Sequence, residues 1–261
     1  MDILAFPPIA LLLDAAHSGM LWLIGVLDPV AGPLSAAVAV ALLTVLVRTA
    51  LIPVAVAQAR AEQTRARLAP HVRELQRRHR GDPERMQREL LALYGREGAS
   101  PTAGCLPLLI QAPVLGLVYS LFIAQMIARH PNALLTEHLF GVPLGSSLAG
   151  SVVHGTADLG TIVVFGAIAL AIAAVGELTR RLFRPELPPA DPEASGAASV
   201  LASPAFAQAM GVLQFVTAVV SLFVPLAAAV YLLVTVVWTL AQRLVLRRRY
   251  PVTRITGGPT P

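Results

Sequence analysis

Long apolar runs separated by short polar stretches dominate the chain. The first convincing run is Leu34 to Ala57, with Arg48 and Pro53 inside it. A second extends from Gly104 to Ile127 and a third from Leu159 to Leu178. The last, Ala205 to Ala241, is 37 residues long. At about 1.5 Å per residue that is roughly 55 Å, far more than a hydrocarbon core of about 30 Å. Pro225 lies near its middle, so the run is read as two spans, 205–223 and 226–242, joined by a tight turn. The pattern therefore predicts an all-α, polytopic membrane protein with spans 34–57, 104–127, 159–178, 205–223 and 226–242.

The segments between spans have their own patterns. Residues 1–33 form an external N-terminal segment, in which 9–27 are predicted as an interfacial helix; partial insertion is the alternative. No basic residue precedes Arg48, so the positive start of a secretory signal is missing. In 58–103, Leu68, Val72 and Leu75 recur at helical spacing, and Met86, Leu90, Leu93 and Tyr94 form a second apolar face. Asp82-Pro83-Glu84 reads as a helix start, with Asp as N-cap and Pro at the first helical position. Two helices joined at Arg80-Gly81-Asp82 are expected to make a hairpin. The remaining segments are an external loop, 128–158, a loop at 179–204 whose residues 185–204 have a disordered composition, and a tail at 243–261.

Composition agrees with this reading. Of 261 residues, 56% are hydrophobic and 13% charged, and mean hydropathy is +0.69. So little charge cannot cover a soluble globule of this size. All 20 basic residues are arginine, which excludes a phosphate-loop lysine and lysine-based covalent catalysis. A single cysteine, Cys105, and six scattered histidines leave no metal-ligand pattern, and no nucleic-acid motif is evident. No metal, cofactor or catalytic residue is expected. The arginines also orient the chain: ten lie in 58–103, three in 179–204, five in 243–261, one in the opposite loops and one inside the first span. Eighteen on one side make the hairpin and C-terminus cytoplasmic and the N-terminus external. The hairpin arginines are placed either against anionic lipid or simply in solvent.

Arg48 is the chemical anomaly. It lies about 21 Å of helix into its span. An arginine at a span centre costs about 2.5–3.5 kcal/mol on insertion scales, and its guanidinium cannot shed the charge. It must reach Glu177, the acid at the far end of span three, or face a hydrated cavity; snorkelling to the interface is the third possibility. Thr44, Gln111, Gln214 and Tyr231 could line the same cavity or bridge helices.

These residues resemble a known family, the YidC/Oxa membrane protein insertases. Pro101-Thr102-Ala103-Gly104-Cys105-Leu106-Pro107-Leu108-Leu109-Ile110-Gln111-Ala112-Pro113 is similar to that family's second-span signature, and it follows a similar helix end at Leu93-Tyr94 and Gly98. Val47 to Pro53 resembles the first-span stretch that carries the family's groove arginine, which falls on Arg48. Leu139 to Leu144 resembles an outer loop of some members. Pro225 and Tyr231 match the last-span motif, while Ala227 and Leu232 stand where that motif has glycine and a second aromatic. The resemblance is to a short form lacking a large periplasmic domain. It implies an insertase and chaperone, not an enzyme, that passes membrane proteins along a hydrophilic groove open to cytoplasm and lipid. Arg48, Gln111, Tyr231, Thr44 and Gln214 would face that groove. The implied partners are nascent membrane proteins, with anionic lipids, the Sec translocon and the ribosome as further candidates. A small transporter or channel subunit, or an assembly subunit of a membrane complex, are the alternatives read from the residues alone.

Overall fold

The computed structural model describes residues 7–79, 81–97, 116–127, 130–183 and 215–249. They form two compact units, one of residues 1–47 and 114–240, the other of 48–113 and 241–261. Three helical stretches among the described residues are long and apolar enough to cross a membrane: Leu11–Ala50, Leu159–Leu182 and Leu226–Arg249.

The first unit opens with α1, Pro7–Ala31, which is longer than the expected 9–27. A single 3₁₀ turn, Gly32–Leu34, links it to α2, Ser35–Ala50. Gly32 makes the link possible with φ of +50°, a conformation open to glycine without penalty. Leu13, His17, Met20 and Ile24, spaced three and four residues apart, form the buried stripe of α1.

Residues 104–115 of the expected second span lie outside the described residues. The helix covering 116–121 stops there, and 122–127 leave it, although the apolar run continues to Ile127. The reason is Asn132. Its Nδ2 donates to the carbonyls of Leu121 (2.6 Å) and Ala124 (2.8 Å), and its Oδ1 accepts from Leu134 N at 3.1 Å. One buried side chain satisfies carbonyls that a longer helix would have bonded internally.

The expected external loop, 128–158, is structured where it is described. Strand β1 (Met126–Ile127) pairs antiparallel with β2 (His130–Pro131), and β3 (His138–Leu139) with β4 (Val142–Pro143). A short helix, α5 (Leu148–Val153), follows. Gly145 permits close packing: a Cβ there would lie 2.6 Å from Leu135 Cδ2 and 3.2 Å from the Phe122 carbonyl oxygen.

Helix α6, Leu159–Leu182, begins at Asp158, whose Oδ1 accepts from Thr161 N at 2.8 Å. It runs four residues beyond the expected end at 178. Glu177 accepts from Arg180 and Arg181 at 2.7 Å, and these i,i+3 and i,i+4 pairs support the extra turn. Residues 184–214 lie outside the description, including the stretch of disordered composition and the first half of the expected fourth span. Residues 215–220 are helical, 221–224 turn, and α7 runs from Leu226 to Arg249. The long last run is thus interrupted at Pro225, whose ring removes a backbone donor. Helix α7 continues past the expected 242, because Arg247, Arg248 and Arg249 suit the negative end of its dipole.

The core of the first unit draws on α1, α2, α6, α7 and the outer loop, with Val40, Phe122, Leu134, Leu144, Phe165, Ile172 and Leu226 fully buried. Loop carbonyls bind the start of α7: Leu226 N donates to Ser146 O (2.8 Å) and Ala227 N to Leu144 O (3.0 Å), while Ala149 N donates to Leu222 O (3.0 Å). Ala227, Ala228 and Ala229 are all completely buried. Their small side chains let the loop approach the α7 backbone.

The second unit contains α3, Ile52–Arg78, and α4, Pro83–Arg96. The first span was expected to continue to 57, but Leu51 breaks it and Pro53 lies in the first turn of a new helix, where its missing N–H is harmless. No strong breaker follows before Pro70, and α3 passes through it. Asp82 caps α4 by accepting from Arg85 N at 2.9 Å. The two helices run antiparallel, joined by an ion pair of Arg67 with Glu97 and a hydrogen bond between His79 and Glu89.

Candidate functional site

Arg48 stands in the last turn of α2, 13 residues after Ser35, about 20 Å along the helix axis. Its side chain is half-buried. The helix breaks three residues later at Leu51. Helix ends leave carbonyl oxygens without intrahelical donors, and a cation there complements the dipole. The break therefore supplies a local reason for a guanidinium at this depth, beyond the sequence spacing that drew attention to it.

Thr44 precedes Arg48 by one helical turn. It is 2% exposed, and its Oγ1 donates to Val40 O at 2.7 Å. The hydroxyl proton is thus committed to its own helix, leaving the oxygen as an acceptor. Tyr231, in α7, is also 2% exposed and belongs to the apolar core of the first unit. Both could line a cavity or bridge helices by the sequence reading, and the resemblance assigns them to the groove; within the first unit both are buried. Gln111 and Gln214 lie outside the described residues.

Glu177, the carboxylate considered as a partner for Arg48, has both oxygens engaged by its own helix. Arg180 Nε and Nη2 donate at 2.7 and 2.8 Å, and Arg181 Nε at 2.7 Å. Two cations around one acid neutralise it and leave a net positive charge, and the cluster marks the end of the apolar part of α6. Asp158, at the other end, holds its carboxyl below the usual 3.8 because its side chain accepts from Thr161. It is a helix cap, and His154 beside it is exposed.

Sequence reasoning missed Asn132 and the carbonyls of Leu144 and Ser146. The Pro131-Asn132 pair before Ala133-Leu134-Leu135 was a readable cap signal for the 3₁₀ turn, which Asn132 does cap. Its bonds to Leu121 and Ala124 had no local signal. Among the described residues, no cluster of three or more His, Cys, Asp or Glu could hold a metal ion.

Residues 26–253 match the sequence profile of the 60Kd inner membrane protein family. The chain belongs to this family, the YidC/Oxa insertases. It is 27% identical to the membrane protein insertase YidC of Streptomyces avermitilis over 226 residues, 80% of this chain and 50% of that protein. It is 40% identical to the YidC of Granulibacter bethesdensis over 93 residues, 36% of this chain and 16% of the relative. With the YidC of Clostridium perfringens the figures are 41% over 81 residues, 31% and 34%. The chain thus spans half or less of the length of these relatives. Family membership and the apolar helices make the protein membrane-integral.

Proposed function

We propose that the chain is a membrane protein insertase and chaperone of the bacterial plasma membrane. The observation that carries this reading is a permanently charged, half-buried Arg48 in the last turn of α2, two residues before the end of the 40-residue apolar helical run Leu11–Ala50. Family membership supports it. In this proposal Arg48 attracts acidic residues in the segment to be translocated. Gln111, Tyr231, Thr44 and Gln214 are assigned to the same groove by resemblance. The client's apolar helix then partitions into lipid, and each buried methylene contributes about 0.8 kcal/mol. No nucleotide hydrolysis or covalent step is required.

The proposal includes five spans, an external N-terminus and a cytoplasmic C-terminus, with α1 lying along the external interface. It places the α3–α4 pair in the cytoplasm, where exposed arginines meet anionic lipid, each adding about 1 kcal/mol near the surface. Nascent membrane proteins are the clients, with the Sec translocon and ribosome as further partners.

Insertion into proteoliposomes of a client with an acidic external tail tests this. Arg48→Ala should reduce insertion about tenfold, equivalent to about 1.4 kcal/mol, while Arg48→Lys retains most of it. Equal insertion by wild type and Arg48→Ala would remove Arg48 from the mechanism.

A further inference from the structure

The end of the first unit at which α2, α6 and α7 begin has two unusual properties. It carries large exposed apolar side chains: Phe140 (72%), Val153 (81%) and Leu159 (76%), with Val152 next to Val153 and Phe223 next to Leu222, whose carbonyl accepts from Ala149 N at the start of α5. Its described residues also lack arginine and lysine, Arg129 lying outside the described residues. Among the described residues of 28–35, 116–127, 130–160 and 215–226 there is no Arg or Lys, and the acids are Asp28, Glu137 and Asp158. The α3–α4 pair of the second unit has the opposite character.

Phe140 adds an independent observation. The turn between β3 and β4 consists of Phe140 (φ +51°) and Gly141 (φ +83°). Two-residue hairpin turns with both φ positive favour Asn-Gly, Asp-Gly or Gly-Gly. A bulky aromatic in the left-handed region is strained. Here the strained residue projects outward beside Ala31, Pro33 and Leu34, with which it lines an apolar recess. Strain retained at an exposed aromatic points to a use for that side chain.

Depth follows from the helices. Arg180 and Arg181 with Glu177 form a charged cluster that marks one membrane boundary. Counting back about 20 residues, roughly 30 Å of helix, reaches Gly160. Leu159 therefore lies at the opposite hydrocarbon boundary. The outer loop cannot stand away from that level, because Ala149 is hydrogen-bonded to Leu222, Ser146 to Leu226 and Leu144 to Ala227. Phe140 is four residues from Leu144, within about 13 Å of extended chain.

We infer that the Phe140 hairpin tip, the end of α5 (Val152, Val153) and Phe223 are a membrane-interface surface whose occupant is the external leaflet, at its headgroup–acyl boundary. The surface is continuous with the exposed apolar sides of α6, where Ile162 and Val163 follow Leu159. It binds by apolar partition, so neutral phospholipid suffices, in contrast to an arginine-lined surface. The inference depends on the membrane spans and not on insertase activity.

The test uses the full chain in phosphatidylcholine vesicles. Phe140→Cys, Val153→Cys and Phe223→Cys, each with Cys105→Ala, are labelled with an environment-sensitive fluorophore. Gln87→Cys on exposed α4 is the aqueous control, and wild type labelled at Cys105 supplies the blank if the cysteine-free background does not reconstitute. At the three sites, lipids brominated near the headgroup end of the acyl chain should quench about twofold, more than deeply brominated lipids. Aqueous iodide should have little effect, and added anionic lipid should change nothing. Iodide quenching without bromolipid quenching overturns the proposal. So does shielding from both with transfer between copies, which would assign the surface to a second protomer. Lipid quenching at 153 and 223 but not at 140 removes the hairpin tip from the surface.

Discussion

The outer loop of the first unit and the helix pair of the second solve the same problem by different physics. Both must hold polar chain in a fixed arrangement. The loop does so with backbone groups: Asn132 bridges Leu121, Ala124 and Leu134, and the carbonyls of Leu144 and Ser146 receive the first N–H groups of α7. The helix pair uses polar side chains: the exposed ion pairs Arg67–Glu97 and Arg85–Glu89, and a part-buried hydrogen bond between His79 and Glu89. Buried hydrogen bonds are costly to leave unmade. Exposed ion pairs contribute about 0–1 kcal/mol each and are screened by salt. The first region is thus specified by a few irreplaceable groups, the second by many replaceable ones.

The largest expected effect comes from Asn132→Asp. The change keeps the shape but turns two donated bonds into a carboxylate facing two carbonyl oxygens. Unfolding of the purified protein in detergent should show a loss of about 3–5 kcal/mol. Asn132→Ala should lose about 1–3 kcal/mol. A change below about 1 kcal/mol in the Asp variant would show that the Asn132 bridge does not hold the loop.

Ala227→Leu comes next. Ala227 is completely buried and its N–H is bonded to Leu144, so a larger side chain must push the loop away. Overpacking of this kind costs about 1–3 kcal/mol, and hydrogen exchange at Ala227 should accelerate. Ala227→Gly, which leaves the approach open, should preserve the slow exchange.

Acid separates the two regions more gently. Burial tends to raise the Glu89 carboxyl, but hydrogen bonds from Arg85 and His79 and their positive charge outweigh it, so it titrates below its ordinary 4.5. A folded-state value below the unfolded one stabilises the pair above pH 4.5, and this is lost as pH falls through the depressed value. Hydrogen exchange in α4 should therefore quicken on acidification below that pH, and Glu89→Gln should flatten the response while leaving the Asn132 region unchanged. If the outer loop loosened first, the contrast would fail.

Salt should have the smallest effect. Raising ionic strength to about 1 M shortens the Debye length to about 3 Å. Spin-label distances between α3 and α4 should broaden, with a local loss of a few tenths of a kcal/mol. Labels across the β3–β4 ribbon should not respond.

Much of the local architecture was readable along the chain. The Asp82 cap, the start of α4 at Pro83 and the interruption at Pro225 depend on residues adjacent to the feature they produce. Helix ends were less readable: α6 and α7 run past their expected limits, where arginines near their C-terminal ends support the extra turns, while helix 116–121 stops early because Asn132 reaches back 11 residues. The groove assignments came from resemblance, and the burial of Thr44 and Tyr231 became visible only once neighbouring segments were in place.

Apolar periodicity, proline and arginine placement determined on their own that this is a helical membrane protein. These are one-dimensional signals, since hydrocarbon accepts few charges and a helix needs its own backbone donors. Only tertiary structure decided that the outer loop is hydrogen-bonded to the helix ends and that a strained Phe140 is presented at its tip. Those outcomes depend on which carbonyls are left without donors after folding, and distant segments compete to satisfy them.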